Sequence, residues 1–294
     1  MTTLSQAQIE RFNEEGFLVV EGALEDSDLN PVIEEYEAYI DVRARQLQGE
    51  GKIKQLYEGE PFDRRLACIC REHNEVYGEL DIMRMRGRAS FEFLRNENLM
   101  DLVEGIVGPE ITCSPIQHIR PKLPDGLTPG GHDQHVVPWH QDAGVTWEEA
   151  DPYFILTVWI PMTEATQENG CLEIIPRVHG KGLLRHERQG GTHIAEELMP
   201  GEEGVPLPVR KGDLIFIHKE IPHRSTPNRT DQIRWSIDLR YQKTGTPTGR
   251  PFHPDFVARS RANPASVLTD YETWRDRWVE ALAKSKGVSG HRWK

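Results

Sequence analysis

Over the first hundred positions apolar residues recur mostly at helical spacing. After about position 110 they come in short runs cut by Pro, Gly and Asn. Ser5-Gln-Ala-Gln8 has the pattern of a capping box, and Ile9 and Phe12 carry the helix on to a stop at Gly16. Phe17-Leu-Val-Val20 reads as a short strand, and Asp26 to about Leu47 as a long, strongly charged helix. Residues 48–80 are polar without a clear period, which predicts a loop or insert. The run from Asp81 to Ala89 looks like a strand. Its Arg84, Arg86 and Arg88, at alternate positions, form either one anion-recognising face or, the preferred reading, solvated edge charges. Glu97 to Val107 is an amphipathic helix ending at Gly108.

The later runs are Ile111–Ile119, Tyr153–Ile160, Cys171–Ile175, Asp213–Ile217 and Arg234–Tyr241. Short strands divided by turn signals predict an antiparallel barrel or sandwich. Pro121 to Pro138 is long for a plain connection and carries Gly126, Gly130 and Gly131, which suggests a functional loop. Residues 267–285 form a terminal helix whose Leu268, Tyr271, Trp274, Trp278 and Leu282 read as core packing.

The 294 residues, 37% of them hydrophobic, suffice for one sizeable core. A net charge of -12 argues against general nucleic-acid binding and against a polybasic membrane anchor. That charge is uneven: residues 1–60 hold 14 acidic and 5 basic side chains, residues 201–294 hold 11 and 17. Most of these charges read as solvated surface, and Arg234 is kept as a candidate anion ligand. Cys68, Cys70, Cys113 and Cys171 do not make a zinc spacing, so reduced thiols in a cytoplasm are expected. Neither a leader nor a transmembrane run is visible, and a small-molecule substrate is the expected partner.

The chemistry gathers at His140-Gln-Asp142, with His223 81 positions after the Asp and Arg234 11 positions after that. Residues i and i+2 at a strand end face one side. Two His and one carboxylate then leave open positions on a metal, as in non-haem Fe(II) oxygenases. A nearby guanidinium fork suits the far carboxylate of a 2-oxo acid. A lone His-x-Asp is weak evidence, and the chain offers competitors. His253-Pro-Asp255 sits beyond the last apolar run and reads as loop. His218-x-Glu220 with His223 would crowd one loop. His132, His135, His179, His186 and His193 read as surface or hydrogen-bonded residues.

Several motifs occur together in order: Phe12-Asn-Glu-Glu-Gly-Phe-Leu-Val-Val-Glu-Gly-Ala-Leu24, Trp139-His-Gln-Asp142, Glu168-Asn-Gly-Cys-Leu172, Ile175-Pro176 with His179, Gly212-Asp213, and His223-Arg-Ser225 with Asn228 and Arg234. With these the chain resembles the phytanoyl-CoA dioxygenase family of Fe(II)/2-oxoglutarate oxygenases, including its ectoine hydroxylase branch, over most of residues 5–245. The resemblance implies a mainly β fold with flanking helices, a double-stranded β-helix (jelly roll, cupin-like). It suggests one domain spanning 1–294: N-terminal helices over about 5–107, a core over about 110–245 and a C-terminal helix over about 267–285. It further implies that His140, Asp142 and His223 bind Fe(II), that Arg234 and Ser225 hold the distal carboxylate of 2-oxoglutarate, and that Lys122 and Trp159 contact it. Trp147 is expected either to line a substrate pocket or to pack.

The implied reaction uses O2 to oxidise an unactivated C–H bond of a small molecule, releasing succinate and CO2. Candidate substrates are a fatty acyl thioester, an amino-acid-like osmolyte, a phosphonate or a secondary metabolite. Where the family often has Pro-Gly-Ser-His, this chain has Pro176-Arg-Val-His179. Retention of Asp142 disfavours halogenation. The competing readings are a hydrolase using another metal at these ligands and a non-catalytic jelly-roll binding protein.

Overall fold

The structure is a computed structural model and describes residues 3–127, 137–188, 191–288 and 292. Its helices are α1 (Gln6–Glu15), α2 (Asp26–Gly49), α3 (Phe62–Glu72), α4 (Ile82–Met85), α5 (Arg88–Phe93), α6 (Glu97–Val107) and α7 (Tyr271–Lys284). Its strands are β1 (Phe17–Val20), β2 (Glu110–Cys113), β3 (His118–Lys122), β4 (Ile155–Pro161), β5 (Leu172–Ile174), β6 (His186–Glu187), β7 (His193–Ile194), β8 (Val205–Leu207), β9 (Leu214–His218), β10 (His223–Ser225), β11 (Arg234–Lys243) and β12 (Phe256–Ser260).

A large antiparallel sheet runs β1-β9-β4-β11-β2-β12, with β3 also on β11, and a small one runs β10-β5-β8. The two sheets meet through Trp159, Ile215 and Ile217 on one side and Leu172, Ile174 and Leu207 on the other. The opposite face of the large sheet buries Leu156, Val158, Phe216, Trp235, Ile237 and Leu239 against the helices. This is a jelly roll with flanking helices, as expected.

Local chemistry explains the ends of the elements. The α1 capping box is formed, Gln8 N donating to Ser5 Oγ at 3.3 Å and Ser5 N to Gln8 Oε1 at 2.9 Å. Gly16 ends α1 at φ +78°, where a Cβ would come within 2.5 Å of His179 Nδ1. At the departure from the family pattern, Arg177 adopts φ +62° in the left-handed region. It is tied there by its backbone N–H to Glu15 O (2.9 Å) and its guanidinium to the Glu15 carboxylate (2.6 Å).

The structure corrects four expectations. Residues 48–80 contain α3, which buries Leu66, Ala67, Cys68, Ile69 and Cys70; the charged residues on either side hid that stripe. The run Asp81–Ala89 is two short helices, broken at Arg86 (φ +50°). Gly87 passes so close to Glu35 that no Cβ would fit, and the Glu35 carboxylate accepts from Ala89 N and from Ser90 N and Oγ. Arg84, Arg86 and Arg88 therefore share no face: they reach Gly78 O, Met83 O and the Tyr271 ring respectively. The run Ile111–Ile119 is two strands. Ser114 N still donates to Arg240 O (2.9 Å), residues 115–117 bulge out of the pairing with β11, and Pro115 has no N–H for the ladder. Finally, β12 follows His253, so that residue does not lie beyond the last strand.

Of the expected 121–138 loop, residues 121 and 122 belong to β3, while 128–136, with His132 and His135, lie outside the described residues. All four cysteines are buried and free. Among the described residues no helix is long and apolar enough to cross a membrane.

The terminal helix docks as the aromatic spacing predicted, with Trp274 and Trp278 buried and Trp274 stacked on Phe91 at 5.2 Å. Trp274→Ala is expected to cost about 3–5 kcal/mol of stability, read as a lower urea midpoint. An unchanged midpoint would show that α7 does not brace the fold.

Candidate active site

Strand β11 alternates strictly: Trp235, Ile237, Leu239 and Tyr241 enter the core, and Arg234, Ser236, Asp238, Arg240 and Gln242 point the other way. The polar set is also buried. Its face forms part of the wall of a cavity of about 580 Å³ that holds His140, Asp142 and His223.

These three side chains present ligand atoms within 4.8 Å of one another. His140 and His223 are cross-strand partners, each backbone N–H donating to the other's carbonyl (3.0 and 2.9 Å), which brings their rings to 4.2 Å. His140 Nδ1–H donates to Pro138 O (2.9 Å) and His223 Nδ1–H to Ile221 O (3.0 Å). Both carbonyls fix the tautomer, so each Nε2 carries its lone pair into the site. The Nε2 atoms lie 3.8 and 3.9 Å from the Asp142 oxygens. Burial, reinforced by His223, pushes His140 down to about 3, so its imidazole is neutral at physiological pH. Two imidazole nitrogens and one carboxylate form a donor set suited to Fe(II).

Gln141, between His140 and Asp142, is fully buried and fully used. Its side chain donates to Gly182 O and Glu220 O and accepts from Leu184 N, and its backbone N–H donates to His186 Nε2. His186 closes over Gly144, where a Cβ would come within 2.6 Å of the ring. His186 is thus a support of the ligand loop, not a ligand. His218 packs against Phe154 and His179, away from the three gathered side chains.

The second half of the site is cationic. Arg234 is buried, lies over the Trp159 ring at 5.1 Å and donates Nε to Gly170 O (3.1 Å) and Nη1 to Ser236 Oγ. Among the described residues no carboxylate pairs with it. Lys122, on the neighbouring strand opposite Arg234, donates Nζ to Ser225 Oγ (3.0 Å). Gly170 explains the Asn-Gly motif: at φ +98°, a Cβ would come within 2.4 Å of Lys122 Cε. Burial and the Arg234 charge push Lys122 down to about 7, and burial, with Arg120, pushes Arg234 down to about 10. The expected residues Ser225, Lys122, Trp159 and Arg234 are therefore together. Trp147 packs on Phe252 at 5.3 Å and is not among the residues lining the cavity.

A family model for phytanoyl-CoA dioxygenase (PhyH) matches residues 12–236. The chain belongs to the phytanoyl-CoA dioxygenase family. It is accordingly a 2-oxoglutarate-dependent dioxygenase whose cofactors are Fe(II), 2-oxoglutarate and O2. Phytanoyl-CoA dioxygenase domain-containing protein 1 of Danio rerio is 26% identical over 270 residues, covering 80% of this chain and 88% of that protein. Among solved structures, the apo form of the non-heme monooxygenase ThoJ is similar with a TM-score of 0.60 and 18% identity, over 94% of this chain and 99% of that one. The epimerase SnoN, in complex with Fe3+, alpha ketoglutarate and nogalamycin RO, gives 0.56 and 19%, over 83% and 86%. These two share the fold.

For this dioxygenase the sequence reading missed Arg240. Its Nη2 donates to Asp142 Oδ1 (2.5 Å) and its Nη1 pairs with Asp238 Oδ1 (3.0 Å), while Thr157 Oγ1 donates to Asp142 Oδ2. Burial alone would raise Asp142. Arg240, then His223 and His140, outweigh it and hold the carboxyl far below its usual range. The signal was available in the strict alternation of Arg234-Trp-Ser-Ile-Asp-Leu-Arg240, but an alternating strand ordinarily turns its polar face to water.

Arg240→Gln is expected to weaken metal binding roughly 10- to 100-fold. Without the guanidinium, burial raises the Asp142 pKa, so the variant should also lose metal at a higher pH than wild type as the solution is acidified. Calorimetric Mn(II) titrations across pH test this. Equal affinity and an equal acid limit would remove Arg240 from the site.

Proposed function

We propose that this dioxygenase oxidises an unactivated C–H bond of a small molecule, with His140, Asp142 and His223 as the iron ligands and Arg234, Lys122 and Ser225 as the seat of the 2-oxoglutarate distal carboxylate. The observation that carries the reading is Arg234: a buried guanidinium with no carboxylate partner among the described residues, facing the cavity that holds the ligand triad. A buried cation is costly unless an anion compensates it.

When bound, Fe(II), 2-oxoglutarate and O2 supply the oxidising power, with succinate and CO2 as the products of the cosubstrate. The protein's own part is placement. The cross-strand histidine pair and the fixed tautomers aim two nitrogens at one point. Arg240 and Thr157 hold Asp142 ionised and oriented. Arg234, anchored by Gly170 O and Ser236, presents its remaining N–H groups as a fork, and Trp159 supplies a flat apolar wall beneath it. Lys122 adds a second positive charge through the Ser225 hydroxyl contact. The cavity, about 580 Å³, has the size of a small-molecule site.

Replacing His140, Asp142 or His223 by Ala is expected to abolish succinate formation from 2-oxoglutarate; full turnover in any of the three would refute its role as a ligand. Arg234→Gln should weaken 2-oxoglutarate binding roughly 10- to 100-fold, the range of a lost charge-assisted hydrogen-bond pair.

The Lys122 pKa sets a pH dependence. Below about 7 the amine is already charged and ready for the carboxylate. Above that pH, binding has to take up a proton, so 2-oxoglutarate affinity should fall as pH rises. In Lys122→Met this slope should vanish and affinity at low pH should drop. Calorimetry of the anaerobic Fe(II) protein in buffers of different ionisation enthalpy measures both effects; a pH-independent wild-type affinity would contradict the Lys122 role.

A further inference from the structure

Among the described residues five arginines line the cavity, and their partners divide them. Arg240 is neutralised by Asp142 and Asp238, Arg224 by Glu173 at 2.7 Å, and Arg120 faces Asp238 at 3.4 Å. Arg234 and Arg250 have no carboxylate partner among the described residues. If Arg234 takes the cosubstrate, one uncompensated guanidinium is left over, and no part of the proposed cosubstrate chemistry uses it.

Arg250 is held in place rather than loose. Gly249 (φ +69°) packs so tightly that a Cβ would lie 2.5 Å from Thr146 Cβ, and its carbonyl accepts from Trp147 N at 3.1 Å. Arg250 Nη2 donates to Val145 O at 2.8 Å, three residues after Asp142, while its Nε is buried without a hydrogen-bond partner. His253, bonded through its N–H to Arg250 O, lines the same corner. Burial, with Arg250 second, pushes its imidazole down to about 4, so it is uncharged there at neutral pH.

The two uncompensated arginines lie at different ends. Arg234 opens β11, and Arg250 sits beside Arg240, whose charge it feels. The six steps from Arg234 to Arg240 span roughly 20 Å of strand. A single carboxylate seated on Arg234 leaves Arg250 without a counter-ion among the described residues. The pocket's second cation faces the space beside Asp142, where a substrate has to sit.

We propose that the substrate is a small oxyanion, a carboxylate or a phosphorus oxyanion, whose charged group is bound by Arg250 and whose oxidised carbon lies only a few bonds from that group. Arg250 is then the specificity-determining residue, and the short distance from its anchor at Val145 to Asp142 sets the reach. The inference rests on the assignment of Arg234 to 2-oxoglutarate.

The test is calorimetry on the anaerobic Fe(II) protein saturated with 2-oxoglutarate, titrated with butanoate, propylphosphonate, propyl phosphate and the neutral butanamide. At least one anion is expected to bind at millimolar concentration while the amide does not; the arm that binds distinguishes carboxylate from phosphonate from phosphate ester. Arg250→Gln should weaken that anion roughly 10- to 100-fold, with 2-oxoglutarate affinity held, and Arg250→Lys should restore part of the loss. Circular dichroism of both variants checks that they fold, and the Lys variant carries the test if the Gln variant does not.

Equal binding of the amide, binding by none of the anions, or no effect of Arg250→Gln overturns the proposal. So does a loss of 2-oxoglutarate affinity in Arg250→Gln as large as in Arg234→Gln, which would put the cosubstrate at the wrong end. Failure of the wild-type protein to bind 2-oxoglutarate at all would instead sink the cosubstrate assignment; the same anion series, run on the Fe(II) protein alone with and without Arg250→Gln, would then still decide the role of Arg250.

Discussion

The site depends on one strand being buried on both faces. β11 gives Trp235, Ile237, Leu239 and Tyr241 to the helix-packed core and turns Arg234, Asp238 and Arg240 toward the cavity, with Ser236 buried between them. Polar groups removed from water have to be satisfied by one another or by a ligand. Arg240 pairs with Asp238 and fixes Asp142; among the described residues Arg234 donates to a carbonyl and a hydroxyl. The same strand thus carries both an ion-pair network that holds Asp142 and, in Arg234, a guanidinium without a carboxylate partner among the described residues, the seat proposed for the 2-oxo acid.

Around that strand the proposed ligands are positioned mainly by backbone. His140 and His223 face each other because their N–H and C=O groups pair, not because their side chains attract. Gln141 spends its whole hydrogen-bonding capacity on three loops, so the His-x-Asp segment cannot swing without breaking several buried bonds at once. Gly170 and Gly144 are places where the chain has to pass a functional or supporting side chain at less than a methyl's clearance. Rigid supports of this kind keep a site at working geometry before anything binds.

Much of this was legible in the sequence. The capping box at Ser5, the stop at Gly16, the aromatic spacing in α7 and the turns before the strands are local signals, and the structure keeps them. The His140, Asp142 and His223 set was readable because order and spacing across several motifs agreed. What was hidden depends on tertiary context. The buried stripe of α3 is surrounded by charge. The Arg84, Arg86, Arg88 alternation imitated a strand because Gly87 and the Glu35 carboxylate, more than fifty residues apart, dictate the break. Arg240 and Arg250 were invisible as site residues because no local pattern says that a polar strand face and a later loop will close over the same cavity. His253, read as loop, lines that cavity for the same reason.

The central claim is that the histidine–aspartate–histidine set and Arg234 form one chelation site for iron and a 2-oxo acid. Anaerobic visible absorption tests it most directly: purified metal-free protein is titrated with Fe(II) and then with 2-oxoglutarate. The account predicts a new metal-to-ligand charge-transfer band that is lost in His223→Ala and needs more 2-oxoglutarate to develop in Arg234→Gln. Iron bound tightly with no such band at any 2-oxoglutarate concentration would contradict it.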